Sequence, residues 1–162
     1  MGWLIDYEVR PSAVHGFGVF ARQHIRRGQR VWQFDETMHA SGPAELGMLP
    51  RDQLELALKG GYFHPVSDRL VWYLDDMKFI NHGDPPDCNV GLLEWTPLDD
   101  DHSMALRDIE PGEELLEDYE FFSIFNLDDG HWIRDIYADF CPELYSFMRQ
   151  LRDRRRRYWA IA

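Results

Sequence analysis

The stretch FINHGDPPDCNV, residues 79–90, decides how the rest of the chain is read. The apolar pair Phe79-Ile80 runs directly into Asn81-His82, and a turn-rich segment follows that ends on a second amide, Asn89. Two readings fit these residues. In one, Asn81-His82 caps the short element before it and Asp84-Pro85-Pro86-Asp87 makes a solvated turn. In the other, the apolar pair anchors the edge of a core, while Asn81 offers a donor and an acceptor and His82 a ring nitrogen or backbone carbonyl to a polar ligand. His82 has no partner His or Cys at helical or knuckle spacing, so no metal is expected there.

The chain around this stretch has 162 residues, enough for one domain with an ordinary core. A hydrophobic content of 44% with 14% aromatics fits a globular protein. Seventeen basic against 29 acidic residues give a net charge of −12, which argues against nucleic-acid binding through the general surface and favours a cationic partner. Cys88 and Cys141 are too few for a disulfide framework or a zinc cluster. The first ten residues carry Asp6 and Glu8 and lack an apolar run of signal-peptide length, and Asp6 stands where a myristoylation signal needs Ser or Thr. No stretch is long enough to span a bilayer. The expectation is a cytoplasmic protein with free thiols.

Short strands are expected over residues 18–21, 30–34, 69–74, 90–95 and 102–107, from apolar runs and period-two alternation. Residues 50–60 read as a helix, opened by Pro50 and stopped by Gly60-Gly61. Residues 139–159 read as helical, with Leu144, Phe147, Met148 and Leu151 near one face. Strand and helix do not alternate at the spacing of a doubly wound nucleotide fold. The class is mainly β, of the α+β kind.

Two further motifs carry chemistry. His15-Gly16-Phe17-Gly18-Val19 permits a tight turn and leaves no Cβ to block a close ligand, but it equally makes a plain hairpin turn. It lacks the third glycine and following helix of a phosphate loop. Downstream, Arg107-Asp108-Ile109-Glu110-Pro111-Gly112-Glu113-Glu114-Leu115-Leu116-Glu117-Asp118-Tyr119 contains a Pro-Gly turn and a charge run. Taken alone, it reads as a solvated face with Leu115-Leu116 buried and Tyr119 half-buried behind a wet hydroxyl.

In combination, order and spacing, the three motifs resemble the SET-domain protein methyltransferases. The resemblance spans residues 4–122 and rests on Gly16-Phe17-Gly18, on Lys78-Phe79-Ile80-Asn81-His82-Gly83 and on Gly112-Glu113-Glu114-Leu115-Leu116-Glu117-Asp118-Tyr119. It implies a β-clip of small sheets in which the Tyr119 segment threads past the Asn81-His82 segment in a pseudoknot. It implies S-adenosyl-L-methionine as cofactor, with Gly16, Phe17 and Gly18 meeting its methionine part through backbone groups, Asn81 its polar end and the His82 backbone its adenine edge. Tyr62 corresponds to a further family tyrosine near the cofactor and Tyr119 to the catalytic one. Phe121 and Phe122 either wall a lysine channel or belong to the core.

The implied reaction moves a methyl group from a sulfonium to a lysine amine of a basic protein or peptide. A sulfonium methyl is already activated, so alignment and exclusion of water supply much of the rate. A lysine in water, with a pKa of ~10.4, must lose its proton first. Residues 1–122 would form the SET domain and residues 123–162 a helical extension packed on it.

The chain departs from the family pattern at Gly83, where a Ser is usual, and in the longer loop Asp84-Pro85-Pro86-Asp87-Cys88. It has no cysteine-rich segment after Tyr119, a place the helical tail around Trp132, Tyr137 and Phe140 would take. The acidic residues between 99 and 120 would either rim the channel and draw in a basic peptide or serve solubility alone. The basic cluster at 152–157 would be a solvated helix end or a contact for an acidic partner or nucleic acid. The rival to an enzyme is a catalytically silent β-clip that binds a basic peptide.

Overall fold

Short strands joined by tight turns build the structure, a computed structural model that describes residues 2–73 and 75–159. The side chains of residues 157–159 lie outside the description, as do position 74 at the end of the strand expected over 69–74 and positions 160–162 of the expected extension. Strands β1 (Tyr7–Pro11) and β2 (Phe17–Ala21) form an antiparallel hairpin. A three-stranded antiparallel sheet has β6 (Arg69–Trp72) between β4 (His39–Ser41) and β5 (Gly61–His64). The five-stranded sheet runs β3 (Arg30–Gln33), β9 (His102–Ala105), β8 (Val90–Gly91), β10 (Leu116–Glu117) and β7 (Asn81–His82).

This last order holds the threading. Strand β10 is parallel to both β7 and β8, and those two strands are joined to each other by residues 83–89. The chain near Tyr119 therefore inserts between two strands of one earlier connection, an arrangement few folds adopt. The register sets Leu116 opposite Asn81 and Glu117 opposite His82. The expected mainly β architecture with a threaded C-terminal segment and a helical tail is the one observed.

Four α-helices stand among the described residues. α1 (Pro43–Gly47) and α2 (Arg51–Gly60) precede β5, and α2 buries Leu54, Ala57 and Leu58. α3 (Trp132–Phe140) begins at His131, whose ring accepts from the Ile133 N–H, and α4 (Pro142–Trp159) restarts at a proline after Cys141, which leaves the helical region at φ −137 and ψ 59. Two apolar clusters result. One joins Val19, Ile25, Val31, Trp32, Ile80, Val90, Ile109 and Leu115 beneath the threaded sheet. The other joins α2, the three-stranded sheet and the C-terminal helices through Leu58, Phe63, Leu70, Phe125, Ile133 and Tyr137.

Some expected boundaries move for identifiable reasons. The strand expected over 90–95 stops after Gly91, where the chain leaves β9, and Leu93 is 72% exposed. The strands expected over 102–107 and 30–34 stop at Ala105 and Gln33, and the next N–H groups, of Leu106 and Phe34, donate instead to the Asn89 and Asp101 carbonyls. Helix begins at Trp132, seven residues before the expected stretch, and Phe147 lies off the buried face that Leu151 shares.

Candidate active site

One side chain touches all three motifs. The Asn81 amide nitrogen donates to the His15 carbonyl (3.1 Å), the Phe17 carbonyl (3.0 Å) and Glu114 Oε1 (2.8 Å). Glu114 is held in turn by the Ser12 hydroxyl at 2.9 Å. Backbone bonds run alongside: the Ala21 N–H donates to the Glu113 carbonyl and the Leu115 N–H to the Val19 carbonyl, so residues 112–115 lie against β2. The two glycines of the first motif then have different reasons. Gly16 turns the chain at φ +49 with open space around it, whereas a Cβ on Gly18 would strike the Glu114 carboxylate. Gly18 thus makes room for the Glu114 side chain.

The altered loop closes over the threaded strand. The Gly83 N–H donates to the Glu117 carbonyl (3.0 Å) and the Asn89 N–H to the Leu116 carbonyl (2.9 Å). A Cβ at Gly83 would stand 2.8 Å from Leu116 Cβ and 3.2 Å from the Cys88 nitrogen, so glycine is what this loop path requires. Asn89, 1% exposed, clamps the same strand from its other end: its amide donates to the Glu114 carbonyl (2.8 Å) and its oxygen accepts from the Leu116 N–H (2.9 Å). The second amide of the FINHGDPPDCNV stretch is therefore a structural clamp.

Beyond β10 the chain delivers Tyr119 to a cavity of about 120 Å³. The Tyr119 N–H donates to His82 Nδ1 (3.2 Å), and its hydroxyl donates to the Ile80 carbonyl. Tyr62, Phe122, Tyr73, Ile80 and Glu117 share the lining. The aromatic wall continues outward, with Phe122 edge-on to Tyr62 at 5.4 Å and Trp95 stacked 5.3 Å from Phe121. Phe121 faces an adjacent depression with Trp95, Asp118 and Arg155, so the structure brings Tyr62, Tyr119 and Phe122 together and sets Phe121 next door. Gly16, Phe17 and Gly18 gather instead around the Asn81 amide, with the Phe17 ring 55% exposed and 6.2 Å from that of Phe79.

Electrostatics separates the titratable groups of this cavity. Burial, reinforced by the nearby Glu117, pushes the Tyr119 phenol well above its ordinary value, so it stays neutral and serves as a hydrogen-bonding group. Burial, with the Asp101 carboxylate it donates to, does the same to Tyr62. Burial raises Glu117 to about 8 against the ordinary 4.5, and Ser103 Oγ, donating at 3.3 Å, opposes this only in part. Asp101 is also raised by burial, and its Oδ1 accepts no hydrogen bond among the described residues.

Sequence reasoning missed Glu117, Asp101, Tyr73, Trp95, Asn89 and Glu114. In the structure Glu117 and Tyr119 share the cavity wall, while Asp118 between them turns the other way, to Arg155. Within the acidic run, Asp101, Glu114, Glu117 and Asp118 have inward or paired roles, whereas Asp99, Asp100, Asp108 and Glu110 are exposed. The basic cluster on α4 is likewise used internally: Arg154 pairs with Asp84 (3.2 Å), Arg155 with Asp118, and Arg152 donates to the Phe125 carbonyl. The Arg157 side chain lies outside the described residues.

The acceptors around Asn81 bear on the cofactor that the resemblance implies. Two carbonyls and the Glu114 carboxylate converge on one point, now filled by the Asn81 amide, and such a trio suits a primary ammonium. The exposed Phe17 ring beside it offers an apolar face. These residues fit an amino-acid-bearing ligand with an aromatic or apolar portion.

A SET domain family model matches residues 16–120, which contain all three motifs. Among curated proteins the chain is 27% identical over 124 residues to a histone-lysine N-methyltransferase, H3 lysine-4 specific, from Aspergillus oryzae, covering 73% of this chain and 10% of that protein. It is 31% identical over 124 residues to the histone H3-lysine(4) N-trimethyltransferase ATX1 of Arabidopsis thaliana, covering 70% of this chain and 11% of that protein. The chain thus spans about a tenth of the length of these relatives. Among solved structures, KRYPTONITE in complex with mCHG DNA and SAH superposes with a TM-score of 0.50 at 18% identity, over 72% of this chain and 24% of that one. The matched span, the three motifs gathered on Asn81 and the threaded β10 agree, and the chain belongs to the SET domain family.

Proposed function

We propose that this chain is a protein-lysine N-methyltransferase that uses S-adenosyl-L-methionine and acts on a lysine of a basic protein. The observation that carries the reading is the junction at β10. Asn81 gathers Phe17 and Glu114 on one side, and the same strand delivers Tyr119 into an aromatic cavity on the other. Gly16, Phe17, Gly18, Asn81 and the His82 backbone would hold the cofactor, which supplies a sulfonium methyl group when bound.

The cavity beside Tyr119 suits the lysine side chain. Tyr62 and Phe122 wall a narrow apolar passage that excludes water and favours the neutral amine over the ammonium. The Tyr119 hydroxyl, held neutral, orients the amine and does not abstract its proton. Alignment of this kind is worth several kcal/mol of barrier, on the order of ~7–11 in the best cases. The net charge of −12 favours a cationic protein partner, and the histone-lysine methyltransferases among its relatives make a histone the first substrate to try. A histone substrate would place the chain in the nucleus if its source is eukaryotic, in preference to the cytoplasm. Residues 1–122 would carry this activity, with residues 123–162 as the packed extension.

Incubation with methyl-labelled S-adenosylmethionine and a mixture of basic proteins tests the reading. The parent should transfer label, and Tyr119→Phe should lose most of the transfer while keeping its fold by circular dichroism. Asn81→Ala should weaken cofactor binding by calorimetry at least about ten-fold, the worth of one or two lost hydrogen bonds. A parent that binds cofactor and peptide but never transfers label would make the chain a silent binding module.

A further inference from the structure

The cavity contains a carboxyl group that the roles above leave unused. Glu117 sits on β10, two residues before Tyr119, opposite His82 of β7, and borders both the main cavity and a smaller one of about 10 Å³ beside it. The smaller cavity is lined by Tyr62, Tyr73, Asp101, Ser103 and Phe122. Ser103 is the group that hydrogen-bonds Glu117 from β9. Among the described residues no lysine or arginine pairs with it. Lys59 of α2 turns to Glu55 (3.7 Å), and the Lys78 ammonium stands over the Phe79 ring at 5.1 Å, although both residues touch the cavity wall. From the remaining elements Glu117 meets Asp101, with His102 next to it, Tyr62 of β5, Tyr73 after β6, Tyr137 of α3, His82 of β7, and Asp118 and Tyr119 of its own segment.

A carboxyl group in an apolar cavity without a cationic partner is costly as a lone carboxylate, so such a site attracts a cation. Asp101, 1% exposed, borders the same space, but it accepts from the Tyr62 hydroxyl and faces His64 Nε2 at 4.0 Å, so of the two acids it is Glu117 that lacks a basic neighbour. The side chain expected in the cavity is a lysine, which arrives protonated. We propose that Glu117 is the catalytic residue that receives the proton of the substrate lysine, an inference that rests on the methyltransferase reading above.

The proton balance is simple. In the unliganded protein the carboxyl titrates near 8 and is largely protonated at neutral pH. Arrival of an ammonium releases one proton to solvent, leaving a single proton shared by a carboxyl oxygen and the lysine nitrogen. When it resides on Glu117, the N–H bond has broken, an O–H bond has formed, and both electrons of the former bond remain on nitrogen as a lone pair. That lone pair is the nucleophile which transfer requires. A carboxyl tuned near the working pH suits this exchange better than a tyrosine held far above it.

Two measurements test the assignment, one of them independent of activity. In carbon-13 NMR of carboxyl-labelled glutamate, with Glu117→Gln identifying the resonance, the free protein should show one carboxyl titrating near 8. Saturating n-butylamine should lower that midpoint, since a nearby ammonium favours the carboxylate. A midpoint in the ordinary carboxylate range, or one that the amine does not move, overturns the proposal. In the label-transfer assay from pH 6 to pH 10, Glu117→Gln should slow transfer by at least about a hundred-fold near neutrality. Equal rates and equal pH profiles for parent and variant overturn the role of Glu117 and leave the methyltransferase reading standing. A parent that transfers nothing, yet shows the amine-dependent shift, sinks that reading while supporting Glu117 as the ammonium's partner.

Discussion

At the scale of single residues, the FINHGDPPDCNV stretch divides its labour in a way residue types alone leave open. Asn81 holds the motifs together, Gly83 lets the loop pass Leu116, and Asn89 clamps the threaded strand. Gly83→Ser, which restores the residue usual in the resembling family, should destabilise the protein by about 1–3 kcal/mol through overpacking against Leu116. Urea denaturation measures this, and a serine variant as stable as the parent would mean that the loop has another path. Asn81, His82 and Tyr119 were legible because their order and spacing form a pattern. Glu117 and Asp101 were not, because an acidic residue in a charge run looks solvated until the fold shows that it faces a cavity.

At the scale of elements, what the sequence hid is mostly what is short. Strands β7, β8 and β10 have two residues each, too few for any period to register, yet they build the threading. Longer elements, such as α2 with its proline start and glycine end, were readable from local chemistry. Helix α4 was readable as a helix but not for its role. Its arginines reach Asp84 of the altered loop and Asp118 beside Tyr119, so the helix straps the site from outside. These pairs are partly solvent-exposed, and Arg155→Ala should cost only about 0.5–1 kcal/mol of global stability. The local effect should be larger: hydrogen exchange in residues 83–89 and 118–121 should rise clearly in Arg155→Ala, and unchanged protection there would contradict the strap.

At the scale of the whole molecule, the buried acids couple stability to pH. Glu117 has a folded value near 8 against an ordinary 4.5, so between these values the folded state binds more protons than the unfolded one. Its contribution is fully present below pH 4.5 and is lost as pH rises through 8. Asp101, also raised by burial, acts in the same sense, whereas Glu113, held low by Arg107, acts oppositely and only at lower pH. The melting temperature should therefore fall between pH 6 and pH 9, and Glu117→Gln should flatten much of that slope, a difference on the order of 2–4 kcal/mol. Equal slopes in the two proteins would mean that Glu117 does not hold its proton in the cavity. The overall class was legible because three motifs recur together in one family; the second core was not, because α3 begins before any periodic signal and packs on the three-stranded sheet.

The central claim is that the Tyr119 cavity is where a lysine amine is methylated. The most direct measurement is tandem mass spectrometry of a histone H3 preparation incubated with S-adenosylmethionine and either the parent or Tyr119→Phe. The account predicts added methyl groups on lysine side-chain nitrogens with the parent and their near disappearance with the variant. Methyl groups on another residue type, or equal lysine methylation by both proteins, would contradict it.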